Sequence, residues 1–183
     1  MQGFAFDTRI VPGDAAGVEE AARLLKAGQL VGFPTETVYG LAANARNAEA
    51  SAAIYDAKGR PRDNPMIVHI ARLEELYGVA AQVTPQALQL AQAFWPGPLT
   101  IILPRGESIP AVVSAGLDTV SVRMPSHPVA RAILKASGLP LAAPSGNLSG
   151  RPSPTTAAYM LEDMQGRIPL IVDGGPCSVG VES

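Results

Sequence analysis

Charge is scarce in this chain. Asp, Glu, Lys and Arg make up 16% of 183 residues, against ~25% in an average globular protein. Fourteen basic and 16 acidic side chains leave a formal net charge of −2, which excludes a protein that coats nucleic acid through overall charge but not one with a local basic pocket. There is one cysteine, Cys177, so no disulfide can close within the chain, and with two histidines the usual Cys/His zinc set cannot be assembled. Residues 1–10 lack the basic and apolar blocks of a secretory leader. The longest uncharged stretch, Leu76 to Pro104, is broken by four glutamines and four prolines and never reaches the ~18 apolar residues of a membrane helix. A cytoplasmic protein with no membrane contact is therefore expected. What the chain does have is 47% hydrophobic residues, 18 glycines and 17 prolines, enough for a core with shaped loops upon it.

Strand-like and helix-like segments alternate. Short apolar runs at 8–11, 30–33, 66–70, 99–103, 119–124, 139–143 and 168–172 read as strands. The run at 99–103 is nearly all apolar, as for burial on both faces, whereas 119–124 alternates. Helical periodicity marks 14–27, 47–57, 84–94, 127–136 and 155–164. Asn47 and Thr84 are natural N-caps, and Gly28 and Gly59 are natural stops. The pattern predicts a single α/β domain with one main sheet.

The nucleotide and hydrolase signatures G-x-x-x-x-G-K-[ST], G-x-G-x-x-G and G-x-S-x-G are absent. Instead, polar motifs follow or occupy the strands. Pro34-Thr35-Glu36-Thr37 reads as a strand-to-helix junction, where threonine hydroxyls either cap a helix or grip a small polar ligand. Lys58-Gly59-Arg60-Pro61-Arg62-Asp63-Asn64-Pro65 holds three cations between stiffening prolines, either a solvated loop or a phosphate fork. His69 lies in an apolar strand, as a core residue or a ligand. Thr119, Ser121 and Arg123 share a strand face by period 2, so the guanidinium needs a carboxylate, from the protein or from a substrate. The small-residue block from Ala143 to Thr155 can form an anion nest or simply lead into a helix. Converging at strand ends, these motifs suggest one phosphorylated ligand and one carboxylate ligand.

Five blocks together, PTETVYGL (34–41), KGRPRDNP with MIVH (58–69), SVRMP (121–125), APSGNLSGRPSPT (143–155) and DGG…GVES (173–183), resemble the threonylcarbamoyl-AMP synthase family, the YrdC-like domain. The one departure is Gly146, where the family pattern has alanine. The resemblance implies an open twisted mixed sheet flanked by helices, with a large positively charged cavity, over residues 1–183. The chain then ends inside the GVES motif, as a C-terminally truncated member would.

The implied reaction takes L-threonine, bicarbonate and ATP to threonylcarbamoyl-AMP and pyrophosphate. A downstream threonylcarbamoyl transferase then modifies tRNA, which this chain meets only indirectly. By motif, Thr37, His69, Arg123, Ala143 and Ser183 resemble L-threonine contacts. Arg60, Asn64, Thr119, Ser145 and Ser153 resemble ATP contacts, with Lys58 a further phosphate cation. Lys58 and Arg60 are the candidates for stabilising phosphate charge, and Mg²⁺ is expected on the ATP phosphates. Rival readings are a carbamoyl-adenylate-forming or O-carbamoyltransferase domain, and a double-stranded RNA-binding module.

Overall fold

A computed structural model describes residues 5–183. Its elements are β1 (Arg9–Pro12), α1 (Ala15–Lys26), β2 (Val31–Phe33), β3 (Gly40–Asn44), α2 (Ala48–Lys58), β4 (Ile67–His69), a 3-10 turn (Leu73–Glu75) leading into α3 (Leu76–Val79), α4 (Pro85–Phe94), β5 (Ile101–Pro104), β6 (Thr119–Arg123), α5 (Pro128–Ser137), β7 (Leu141–Ala142), α6 (Ala157–Met164) and β8 (Leu170–Asp173). Local chemistry sets the helix ends. The Asp14 carboxylate accepts from the Gly17 amide at 2.9 Å, the Asn47 side chain from Ala50 at 3.0 Å and the Thr84 hydroxyl from Ala87 at 3.2 Å, which satisfies amides that have no partner inside their helices.

All eight strands join in one sheet, ordered β1-β8-β2-β3-β7-β4-β6-β5. Pairing is parallel for β1–β8, β8–β2 and β4–β6, and antiparallel elsewhere. The sheet is therefore mixed, as the resemblance implied. Side-chain alternation builds a core on each face. Leu41, Ala43, Val68, Val120, Val122 and Ala142 face α2, α4 and α6. Val31, Phe33, Ala42, Leu141, Leu170 and Val172 face α1 and α5.

That second face is covered by helices over only part of its width. On its β4–β6–β5 part the cross-strand partners are His69 with Arg123, Ile67 with Ser121, and Ser121 with Ile102. Two expectations fail here. Strand β5 lies at the sheet edge and buries alternate residues, with Ile102 65% exposed, so it is not covered on both sides. No helix follows Pro34; the chain turns back into β3, antiparallel to β2. Both errors have one cause: neighbours, not local sequence, decide whether an apolar strand is central and whether a small-residue run pairs.

Candidate active site

Residues 34–39 connect β2 to β3 and fold against the uncovered part of the sheet. The Thr35 hydroxyl shapes this loop. It donates to the Val38 carbonyl at 2.6 Å, accepts from the Thr37 and Val38 amides at 3.2 Å, and lies 3.0 Å from the Thr37 hydroxyl. Thr35 and Thr37 thus close a tight turn and cap no helix.

Arg123, at the end of β6, is 2% exposed. Its Nη2 donates to the Glu36 carboxylate, Nη1 to the Thr37 hydroxyl at 3.1 Å, and Nε to the Gly97 carbonyl at 3.1 Å. The protein-carboxylate alternative is therefore realised, and its partner is Glu36. Three of the five guanidinium N–H groups are used, which leaves two for a ligand. Burial lowers the pKa of Arg123, while Glu36 opposes that shift.

His69 stands beside Arg123, 3% exposed, with its ring edge-on to Phe33 at 5.9 Å. Burial, and then Arg123, push its pKa down to about 3, so the imidazole is neutral. Its Nδ1 is buried without a hydrogen-bond partner. A buried neutral nitrogen of that kind can still accept or donate one hydrogen bond to a ligand.

Thr37, His69, Arg123, Ala143, Ser145 and Ser183 all line one crevice of about 40 Å³, together with Phe33, Ile67 and Glu182. The Ala143 amide is already given to the Ile67 carbonyl at 2.9 Å, so a ligand can use only its carbonyl or methyl group. Two carboxylates lie close to the Arg123 guanidinium, Glu36 behind it and Glu182 in the wall.

The basic motif does not lie on the surface as a unit. Lys58, in the last turn of α2, is 2% exposed, and its ammonium donates to the Ser145 carbonyl and to the Asn147 carbonyl at 2.7 Å. Burial, then Arg60, lower its pKa to about 8. Arg60 is half-buried, and donates to the carbonyls of Asn64 at 3.1 Å and Pro65 at 2.8 Å. Arg62 is exposed and paired with Asp56 at 2.7 Å. Asn64 and Thr119 are exposed. Thr119 stands two residues before Ser121 on β6, and Pro65 two before its partner Ile67, so the parallel ladder carries both toward the same end. The Ser153 hydroxyl donates to Glu182. Lys58, Arg60, Asn64, Thr119 and Ser153 thus fall outside the crevice wall. Lys58 touches that wall through Ser145, and Ser153 through Glu182.

Several members were not among the expected site residues. Glu36 and Ser126 are one group: the Ser126 amide and hydroxyl donate to the Glu36 carboxylate at 2.9 and 2.6 Å. Tyr39 is another. Its hydroxyl donates to the Gly175 carbonyl at 2.7 Å and accepts from the Gly174 amide at 3.1 Å, while its own carbonyl accepts from Gly146 at 2.8 Å. Tyr39 so ties the DGG block to the small-residue block, and burial raises its pKa. The available signal was an isolated carboxylate between two threonines in a charge-poor chain. Gly146 also finds its reason: a Cβ there would meet Met160 Cε at 2.7 Å, and Gly32 faces the same atom at 2.7 Å. The Met160 thioether fills the space that an alanine methyl would need.

Sheet and crevice together define a mixed α/β domain with a small polar pocket on one half of one face. The chain belongs to the Sua5/YciO/YrdC family, whose model, described as "Telomere recombination", matches residues 23–183. It is similar to the threonylcarbamoyl-AMP synthases of Bacillus subtilis (54% identical over 167 residues) and Pyrococcus abyssi (53% over 163). These matches take in 91% and 89% of this chain but 48% of each relative, so the chain spans about half their length. P. abyssi Sua5 complexed with L-threonine superposes with a TM-score of 0.92 at 48% identity, over 97% of this chain and 52% of that one.

Proposed function

We propose that this chain is the substrate-binding domain of an L-threonylcarbamoyladenylate synthase, a nucleotidyltransferase. It would join L-threonine, bicarbonate and ATP into threonylcarbamoyl-AMP and release pyrophosphate. One observation carries the reading: Thr37, His69, Arg123, Ala143 and Ser183 line a single crevice. Relatives named as such synthases support it, as does a solved relative that holds L-threonine.

The threonine carboxylate takes the two uncommitted Arg123 N–H groups. The Thr37 hydroxyl and the His69 Nδ1 are polar partners for the remainder of the amino acid. The amine attacks the carbon of bicarbonate, forming the C–N bond as one C–O bond breaks and water leaves. The resulting carbamate oxygen then attacks the α-phosphorus of ATP as the bond to pyrophosphate breaks. Such a reaction needs positioning and charge stabilisation, not a protein nucleophile. Arg60, with three N–H groups uncommitted, is the side chain best placed to meet phosphate oxygens. Lys58 has one N–H left after its two carbonyl bonds, and mainly shapes the Ser145–Asn147 turn. Asn64, Thr119, Ser145 and Ser153 complete the ATP side. A crevice of about 40 Å³ must widen to admit threonine, and Glu182 and Ser183 are the exposed part of its wall.

Mg²⁺ would travel on the ATP phosphates. Among the described residues no three His, Cys, Asp or Glu side chains form a ligand set, and phosphate-borne Mg²⁺ requires few protein ligands. The product would pass to a threonylcarbamoyl transferase acting on tRNA. Among the described residues no helix is long and apolar enough to cross a membrane.

Pyrophosphate release from ATP should require both L-threonine and bicarbonate. Arg123→Ala should weaken threonine dependence by roughly 10- to 150-fold, the worth of a charge-assisted hydrogen bond. Release driven by carbamoyl phosphate without threonine would instead identify a carbamoyl-adenylate-forming domain.

A further inference from the structure

Glu36 is 6% exposed, and a carboxylate at that depth is tolerated only when its oxygens are matched. One oxygen takes the Arg123 guanidinium, and the other takes both donors of Ser126 at 2.9 and 2.6 Å. Its backbone carbonyl accepts from the Val179 amide at 2.9 Å. Glu36 is thus anchored by the β6–α5 connection and the C-terminal segment, independently of Arg123. The guanidinium, by contrast, ends a long side chain whose rotation about its own axis needs fixing.

We propose that Glu36 is a positioning residue for carboxylate recognition: held by Ser126, it sets the roll of the Arg123 guanidinium so that the two uncommitted N–H groups receive the carboxylate of the amino-acid substrate. This rests on the threonine reading above. The Glu36 charge also cancels that of Arg123, so a ligand carboxylate enters a pair with no net charge. Recognition then depends on the direction of two N–H bonds more than on bulk attraction. Loss of Glu36 would leave the charge on Arg123 and remove its one charged contact, so that the Gly97 carbonyl and the Thr37 hydroxyl alone would hold that direction.

The test is calorimetric titration of the full chain with L-threonine and with L-threoninol. The alcohol keeps the amine, hydroxyl and methyl groups and replaces the carboxylate by CH₂OH, so the ratio of the two affinities isolates carboxylate recognition. In Glu36→Ala that ratio should fall about 10- to 100-fold while threoninol affinity stays near wild type, which also reports a folded chain. Glu36→Gln keeps one acceptor oxygen for Arg123, but its NH₂ group then faces the Ser126 amide N–H, so it should recover only part of the ratio. Ser126→Ala loses one of the two anchors and should lower it several-fold; if Glu36→Ala does not fold, this variant decides the matter. An unchanged ratio in the deciding variant overturns the proposal, as does an equal loss for both ligands. Wild-type chain that binds no L-threonine overturns the threonine reading and the proposal together, an outcome distinct from threonine binding with an unchanged ratio.

Discussion

His69 links the crevice to the pH dependence of stability. Its pKa is about 3 in the fold and about 6.5 in an unfolded chain. Between those values the unfolded chain holds a proton that the native chain does not. Stability is therefore fully present above about pH 6.5 and is lost as pH falls toward 3, at about 1.4 kcal/mol per pH unit. Urea midpoints of wild type and His69→Gln, compared at about pH 7 and about pH 4.5, should show the steeper acid loss in wild type. Parallel losses would mean that other groups dominate acid unfolding. Arg123 illustrates how far a single residue can be read. Period 2 put it on a face with Ser121, and the cost of burying a guanidinium required a carboxylate. Which carboxylate was not legible, because Glu36 lies 87 residues away in the chain and is brought there by strand order.

At the scale of elements, α2 is the most instructive. Asn47 begins it and Gly59 ends it with φ 62°, both readable from local chemistry. Its last residue, Lys58, was expected in a polar, surface-lining loop. It is buried against the 145–147 turn, since a helix end is aimed by what it packs on. A Cβ on Gly59 would have nothing within 4 Å, so Gly59→Ala should incur only the left-handed backbone penalty of about 1–2 kcal/mol. For a chain of this size that is roughly 2–4 °C in Tm per kcal/mol. A scanning melt showing no decrease would mean that the turn can relax out of the left-handed region. Strand β3 marks the opposite limit. Its sequence, GLAAN, has no β-branched or aromatic residue, and it is a strand because β2 and β7 flank it. The edge position of β5 was hidden for the same reason: an apolar run carries no record of its neighbours.

At the scale of the whole molecule, the two cores share their strands. Leu41 and Ala43 belong to one and Ala42 to the other; Ala142 belongs to the first and Leu141 to the second. Neither core can dissolve without breaking strands that support the other. Urea unfolding followed by backbone and by side-chain signals should therefore give coincident transitions; a displaced side-chain transition would show that one face melts alone. The order of the sheet has a further consequence for how a cell makes this protein. A ribosome delivers β1, α1 and β2 early, yet β8, which separates β1 from β2, is the last of the eight strands to be synthesised. Until residue 173 has emerged, β1 lacks its sheet partner among the described residues and β2 keeps a bare edge beside Val31 and Phe33. Bare apolar edges recruit strands from other chains. Nascent chains stalled or released before codon 170 should therefore depend on chaperones more than the finished protein does, because no earlier stage of translation can close the sheet.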